Sequence, residues 1–336
     1  MKLSIEQLKS ISLGAESVIE TEKGIEFDRF SSDERMVYST SAIEARTHSP
    51  AGIELMFKTD AKSIYINLDA EKTLDRSFFS IDILENGKLA GSICNFEEEK
   101  MTGFYSWDEY PLGSFEGSVE FGDGEKEIRI VLPWSVRCCF KEITLNGATY
   151  VTPVKKEKTM LFYGDSITHG YDSAYPLNTY AKRVADGLCA EGFVKAVGGE
   201  CFLPELAKIN GGHNPDYVVI AYGTNDWSKN NKEAFDKNSK EFINAISINY
   251  PNAKIFVLTP IWRKDGVKEN DAFGDIFYIG KYLAKVCDGL ENVYCIDGWN
   301  LVPHNENLYG DLRLHPNDNG FKEYAKNLLT QIEKYI

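Results

Sequence analysis

The feature that most constrains this chain is a change of hydrophobic rhythm near Val154-Lys155-Lys156-Glu157-Lys158. Before that polar run, apolar residues recur at every second position. Ile53, Leu55 and Phe57 form one such set; Ile64, Ile66 and Leu68, then Phe79, Ile81 and Ile83, then Ile128, Ile130 and Leu132 form others. A strand points successive side chains to opposite faces, so the pattern is that of sheets with one buried face. Asn86-Gly87 and Asn146-Gly147 are two-residue turn signals that favour hairpins. Helical spacing is almost absent there, apart from the first dozen residues. The expectation for residues 1–153 is an antiparallel, jelly-roll-like β-sandwich.

After the polar run, short apolar strands alternate with longer amphipathic stretches. Met160 to Tyr163, Val194 to Val197, Val218 to Tyr222, Ile255 to Leu258 and Val293 to Ile296 read as buried strands. Phe235, Ser239, Phe242 and Ile246 fall along one helical stripe, and Pro316 is placed to open a last helix running towards Ile336. Such alternation predicts an α/β domain over residues 154–336, with a parallel sheet covered on both faces in three layers. Sites in such folds form at the carboxyl ends of the strands.

A formal net charge of -14 argues against nucleic-acid partners and against docking on anionic lipid. No apolar run is long enough to span a membrane. The opening Met-Lys-Leu-Ser-Ile-Glu-Gln-Leu-Lys-Ser lacks the apolar centre of a secretory signal, so a cytoplasmic location is expected. Seven cysteines with no Cys-x-x-Cys pair suggest neither a disulfide framework nor a zinc site.

Three strand ends carry chemistry. Tyr163-Gly164-Asp165-Ser166-Ile167-Thr168-His169-Gly170 follows the first strand and presents Ser166 as a nucleophile. Ala221-Tyr222-Gly223-Thr224-Asn225-Asp226 follows the third, where the Asn225 amide could donate to an oxyanion. Near the C-terminus, Asp311-Leu312-Arg313-Leu314-His315-Pro316-Asn317 offers His315 as the base that a serine hydroxyl needs. Each has a plain structural reading: a helix-capping Ser, an Asx-turn, a structural His. Their order along one α/β domain is the argument.

These blocks resemble the SGNH (GDSL-like) hydrolase superfamily over roughly residues 158 to 336. The resemblance implies Ser166 as nucleophile, His315 as base, and an oxyanion hole from the Ser166 and Gly199 N–H groups with the Asn225 side chain. Gly198 is the alternative glycine in Val197-Gly198-Gly199-Glu200. The family usually places its acid three residues before the His, where this chain has Leu312. Asp311 is the expected acid if the loop is one residue longer. Asp318 or Asp297, or a Ser-His dyad with a backbone carbonyl, are the alternatives.

The whole chain is similar to bacterial SGNH hydrolases with an N-terminal sandwich, and in plan to carbohydrate acetyl esterases. That implies a carboxylic ester hydrolase acting on a small-molecule or oligosaccharide ester, acetyl on a carbohydrate first, with no metal and no cofactor. A lipid, lysophospholipid or thioester hydrolase, and a non-catalytic carbohydrate-binding protein, are the other readings. Trp227 and Trp262 are candidate pocket walls, and Arg263 an anion binder or a salt bridge. Tyr105, Trp107 and Tyr110 line a sugar surface, or fill the sandwich core or the domain interface. His169, His213, His304, His48 and Asp165 read as structural. Oligomeric state and the role of the first domain stay open.

Overall fold

The computed structural model describes residues 1–336 and contains three sheets. Two are antiparallel and form a β-rich N-terminal domain. One orders strands Ser12–Leu13, Glu54–Thr59, Lys126–Val131, Ser80–Glu85 and Lys88–Cys94, with Val151–Pro153 also on Glu54–Thr59. The other orders Ser17–Thr21, Gly24–Asp28, Val136–Asn146, Ser63–Lys72 and Gly113–Glu120. The alternating residues of both sheets meet in one core that includes Leu55, Phe57, Ile64, Ile66, Ile83, Ile130 and Phe140.

Asn86 and Gly87 both take positive φ, 48° and 76°, and close the hairpin between Ser80–Glu85 and Lys88–Cys94. Asn146-Gly147 departs from expectation: Val151–Pro153 pairs with Glu54–Thr59, so this turn carries the chain from one sheet to the other. A further helix, Ser32–Tyr38, was not anticipated. Its signal is a capping box in which Ser31 accepts from the Glu34 N–H and Glu34 accepts from the Ser31 N–H.

The third sheet is parallel, with spatial order Ala190–Ala196, Lys158–Gly164, Tyr217–Ala221, Lys254–Leu258 and Val293–Ile296. All five expected strands are present. Phe235, Ser239, Phe242 and Ile246 are the buried stripe of helix Lys232–Asn249. The last helix is Asp318–Ile332, capped by Asn317, so Pro316 lies just outside it and the chain leaves the helix before Ile336. Strand order reverses beside the first strand, which puts the switch-point crevice between the ends of Lys158–Gly164 and its neighbours.

The N-terminal domain lies against the edge strand Ala190–Ala196. Arg29, fully buried, donates to the Val194 and Ala196 carbonyls at 3.1 and 2.6 Å, and also to the Ser49 and Arg46 carbonyls. Burial lowers its pKa to about 10, and Asp75 opposes the shift, so the guanidinium stays charged at neutral pH. Glu54, the outward residue of a sheet strand, is 3 % exposed because it meets Arg129, Lys156 and Lys182 at the same boundary. No helix is long and apolar enough to cross a membrane.

Candidate active site

A Cβ on Gly164 would lie 2.2 Å from Thr168 Oγ1 and 2.9 Å from the Ala221 carbonyl, so only glycine lets the chain turn off the first strand. Asp165 then caps the short helix Ser166–His169, its Oδ1 accepting the Ile167 N–H at 3.0 Å. Ser166 opens that helix, 4 % exposed, with a first-turn N–H that no intrahelical carbonyl can accept. Burial pushes the Asp165 pKa up to about 7.

Ser166 Oγ lies 2.8 Å from His315 Nε2, and His315 Nδ1 lies 2.7 Å from Asp311 Oδ2. Asp311 Oδ1 accepts the backbone N–H groups of Arg313, Leu314 and His315 at 3.0, 2.7 and 3.1 Å. An ionised carboxylate only accepts, so it fixes the ring proton on Nδ1 and leaves Nε2 free to accept from the serine hydroxyl. Burial opposes ionisation of Asp311, but His315 and these N–H groups hold it well below the usual carboxylate range. Leu312 takes a left-handed φ of 53°, which accommodates the extra loop residue while Asp311 reaches the ring. Asp318 and Asp297 are engaged elsewhere, with Ser173 and with Thr259 and the Trp299 N–H respectively.

Gly198 and Gly199 differ. The Gly198 N–H points to His169 Nδ1 at 3.3 Å, its carbonyl accepts from Arg46 Nη1 at 2.6 Å, and a Cβ there would strike the Tyr171 hydroxyl at 2.2 Å. Gly199 has φ 83°, and its N–H has no acceptor within the protein. Asn225 donates from Nδ2 to the Glu200 carbonyl at 3.0 Å, which orients the amide and leaves its second proton unspent. The Glu200 carboxyl is buried between the Tyr38 and Tyr222 hydroxyls at 2.6 and 3.0 Å, and burial pushes its pKa up to about 8.

Other candidates fall differently. Trp227 is 6 % exposed and packs in the core, its indole N–H donating to the Gly274 carbonyl. Trp262 is half-buried, stacks on His304 and meets the Tyr309 ring at a tilt of 55°. Arg263 is a buried salt bridge to Asp265, and Asp265 in turn holds Arg313 in the His315 loop. His213 and His48 pair with Glu16 and Glu44. Tyr105 is buried at the interface, its hydroxyl donating to the Asp172 carbonyl, and Tyr110 packs on Phe78. Trp107 is 68 % exposed, with the Arg76 guanidinium 4.1 Å from its ring. His169 sits buried between domains, beside Ser49 and Arg29, with burial holding it neutral.

Sequence reading missed Arg29, Arg46 and Asp172. All three act across the domain boundary, and such contacts leave no local pattern. Asp172, Asp311 and His315 bring donor atoms within 4.8 Å of one another, but Arg76 and Ser106 occupy Asp172 Oδ1 and three N–H groups occupy Asp311 Oδ1. Of the two carboxylates, only Asp311 is hydrogen-bonded to the imidazole.

Residues 162–322 match the sequence profile of the GDSL-like lipase/acylhydrolase family. No curated protein sequence matches the chain. Among solved structures, the fold is similar to a salicylyl-acyltransferase, SsfX3, from a tetracycline biosynthetic pathway, with TM-score 0.79 and 18 % identity over 96 % of this chain and 94 % of that one. It is also similar to a family two carbohydrate esterase from Cellvibrio japonicus, with TM-score 0.65 and 14 % identity over 99 % and 97 % of the two chains. An acetyl xylan esterase from the rumen bacterium Butyrivibrio proteoclasticus gives TM-score 0.63 and 15 % identity over 99 % and 98 %. These likenesses span both domains.

Proposed function

We propose that this chain, whose second half is a GDSL-like lipase/acylhydrolase domain, is a serine esterase that removes a short acyl group, acetyl first, from a carbohydrate. The observation that carries the reading is the Ser166–His315–Asp311 relay, with contacts of 2.8 and 2.7 Å. Ser166 Oγ attacks the ester carbonyl as its proton passes to His315 Nε2. The N–H groups of Ser166 and Gly199, with Asn225 Nδ2, receive the oxyanion. The bond to the alcohol then breaks, His315 returns the proton to the leaving oxygen, and water clears the acyl-enzyme by the same route. The choice of acetyl and of a sugar draws support from the whole-chain likeness to carbohydrate esterases.

The test is hydrolysis of p-nitrophenyl acetate, butyrate and octanoate by the wild type and by Ser166→Ala. Activity on acetate that disappears in the variant supports the reading. Preference for octanoate turns it towards lipid, and equal rates in variant and wild type overturn it. A second reading, transfer of the acyl group to an alcohol other than water, draws on the likeness to the salicylyl-acyltransferase. It predicts that an added alcohol raises p-nitrophenol release and appears as an ester product.

A further inference from the structure

We propose that Asp172 is a second positioning carboxylate for His315, held in place by the N-terminal sandwich. This rests on the reading of His315 as the base for Ser166. Asp172 is 0 % exposed and carries a left-handed φ of 69°, which a non-glycine residue adopts only at a cost. Its Oδ1 accepts from Arg76 Nε at 2.8 Å and from Ser106 Oγ at 3.0 Å, and its carbonyl accepts from the Tyr105 hydroxyl at 2.5 Å. Those three partners all come from the first domain. Oδ2 points the other way: it lies 3.9 Å from His315 Nδ1 and is buried without any hydrogen-bond partner.

A buried carboxylate oxygen without a donor is unfavourable, and a strained backbone adds to that. Both make sense if the oxygen acts at one moment only. While the ring is neutral, Oδ2 has no charge to face. Once Nε2 takes the Ser166 proton, the ring is a cation and the fully buried Oδ2 stands beside it. An interaction stronger in the transition state than in the ground state lowers the barrier. Burial pushes the Asp172 pKa up, and the Arg76 guanidinium is the counter-charge that opposes that shift; the pair is 5 % and 0 % exposed. The groups facing the ring are Asp311 on its own loop, Asp172 and Tyr171 from the segment after the Ser166 helix, and Asp165 at that helix's start; Arg76 reaches it through Asp172.

The experiment is the pH profile of kcat/KM for p-nitrophenyl acetate with Asp172→Asn, with a thermal melt to confirm folding. Removing a negative charge beside the imidazolium should move the acid limb to lower pH by about half a unit or more and lower kcat about tenfold, leaving KM unchanged. Asp311→Ala combined with Asp172→Asn should fall about tenfold below Asp311→Ala alone. If Asp172→Asn does not fold, Arg76→Met with Asp172→Asn removes the buried pair together, which proteins tolerate better than one unpaired charge. The same displacement is expected there. Profiles that superimpose on the wild type, or a double variant equal to Asp311→Ala, overturn the proposal. Ser166→Ala separates the two readings: if it is inactive and Asp172→Asn is unaltered, only this inference fails. If Ser166→Ala is fully active, both fail.

Discussion

Asp311 holds His315 from two directions: one carboxylate oxygen faces the ring Nδ1 at 2.7 Å, and the other accepts the backbone N–H of the same residue at 3.1 Å. The loop and the ring it carries are thus oriented by one side chain. Asp311→Asn would present a donor to Nδ1 and favour the wrong tautomer. We expect kcat to fall by about 10³–10⁴ with KM nearly unchanged, as for the buried aspartate of serine protease triads. Steady-state kinetics on p-nitrophenyl acetate check this; a loss under tenfold would mean the carboxylate is dispensable.

Asn225 offers one amide proton to the Glu200 carbonyl and keeps the other. If that second proton meets the oxyanion, Asn225→Ala should lower kcat by about 10²–10³ while KM stays within about twofold. A rise in KM with kcat intact would assign Asn225 to ground-state binding instead.

Burial raises the Glu200 pKa to about 8, well above the value of about 4.3 for an exposed glutamate. A group raised in the folded state stabilises the fold below its unfolded pKa, and that contribution is lost as pH rises through the folded value. Asp165, near 7, and Asp226, near 6, act in the same direction. The melting temperature should therefore decline from pH 5 to pH 8. Glu200→Gln should remove its own share, so the variant gains on the wild type by on the order of 2–4 °C per pH unit across that range. Parallel curves for the two proteins would contradict the raised pKa.

Arg29 is a buried cation that donates to four backbone carbonyls and lies beside His169. Arg29→Met leaves those carbonyls unpaired. We expect a loss of about 3–5 kcal/mol in denaturant titrations, and a lower kcat, because Ala196 leads directly into Gly198 and Gly199. Unchanged kcat in a destabilised variant would show that the glycine turn is held independently.

Most of the architecture could be read from periodicity, because both rhythms are enforced by burial. Ile64, Ile66 and Leu68 alternate since one sheet face is dry, and Phe235, Ser239, Phe242 and Ile246 recur since one helix face is. Ser166, Asn225 and His315 could be nominated because each follows a strand or precedes a helix, whereas Gly199 came only from the family resemblance. Asp311 was harder. Whether a loop with Leu312 at the usual acid position closes on the histidine depends on a single left-handed residue, and leucine gives no warning of that. Trp227 illustrates the opposite difficulty: an aromatic just past a strand reads the same whether it turns outward or into the core, and here it turns inward. Arg76 and Asp172 meet across 96 positions of chain, with no spacing rule to join them.

The edge strand Ala190–Ala196 has consequences for how such a protein can be inherited. Its outer carbonyls are answered by Arg29 from the first domain, and Lys195 on the same strand is buried against Glu16 and Glu34 of that domain. A gene fragment encoding only the α/β half would expose a raw sheet edge and an unanswered lysine, an invitation to pair with other chains. The two halves are therefore not freely exchangeable modules: recombination that swaps one must bring matching residues in the other, and lineages should keep them together.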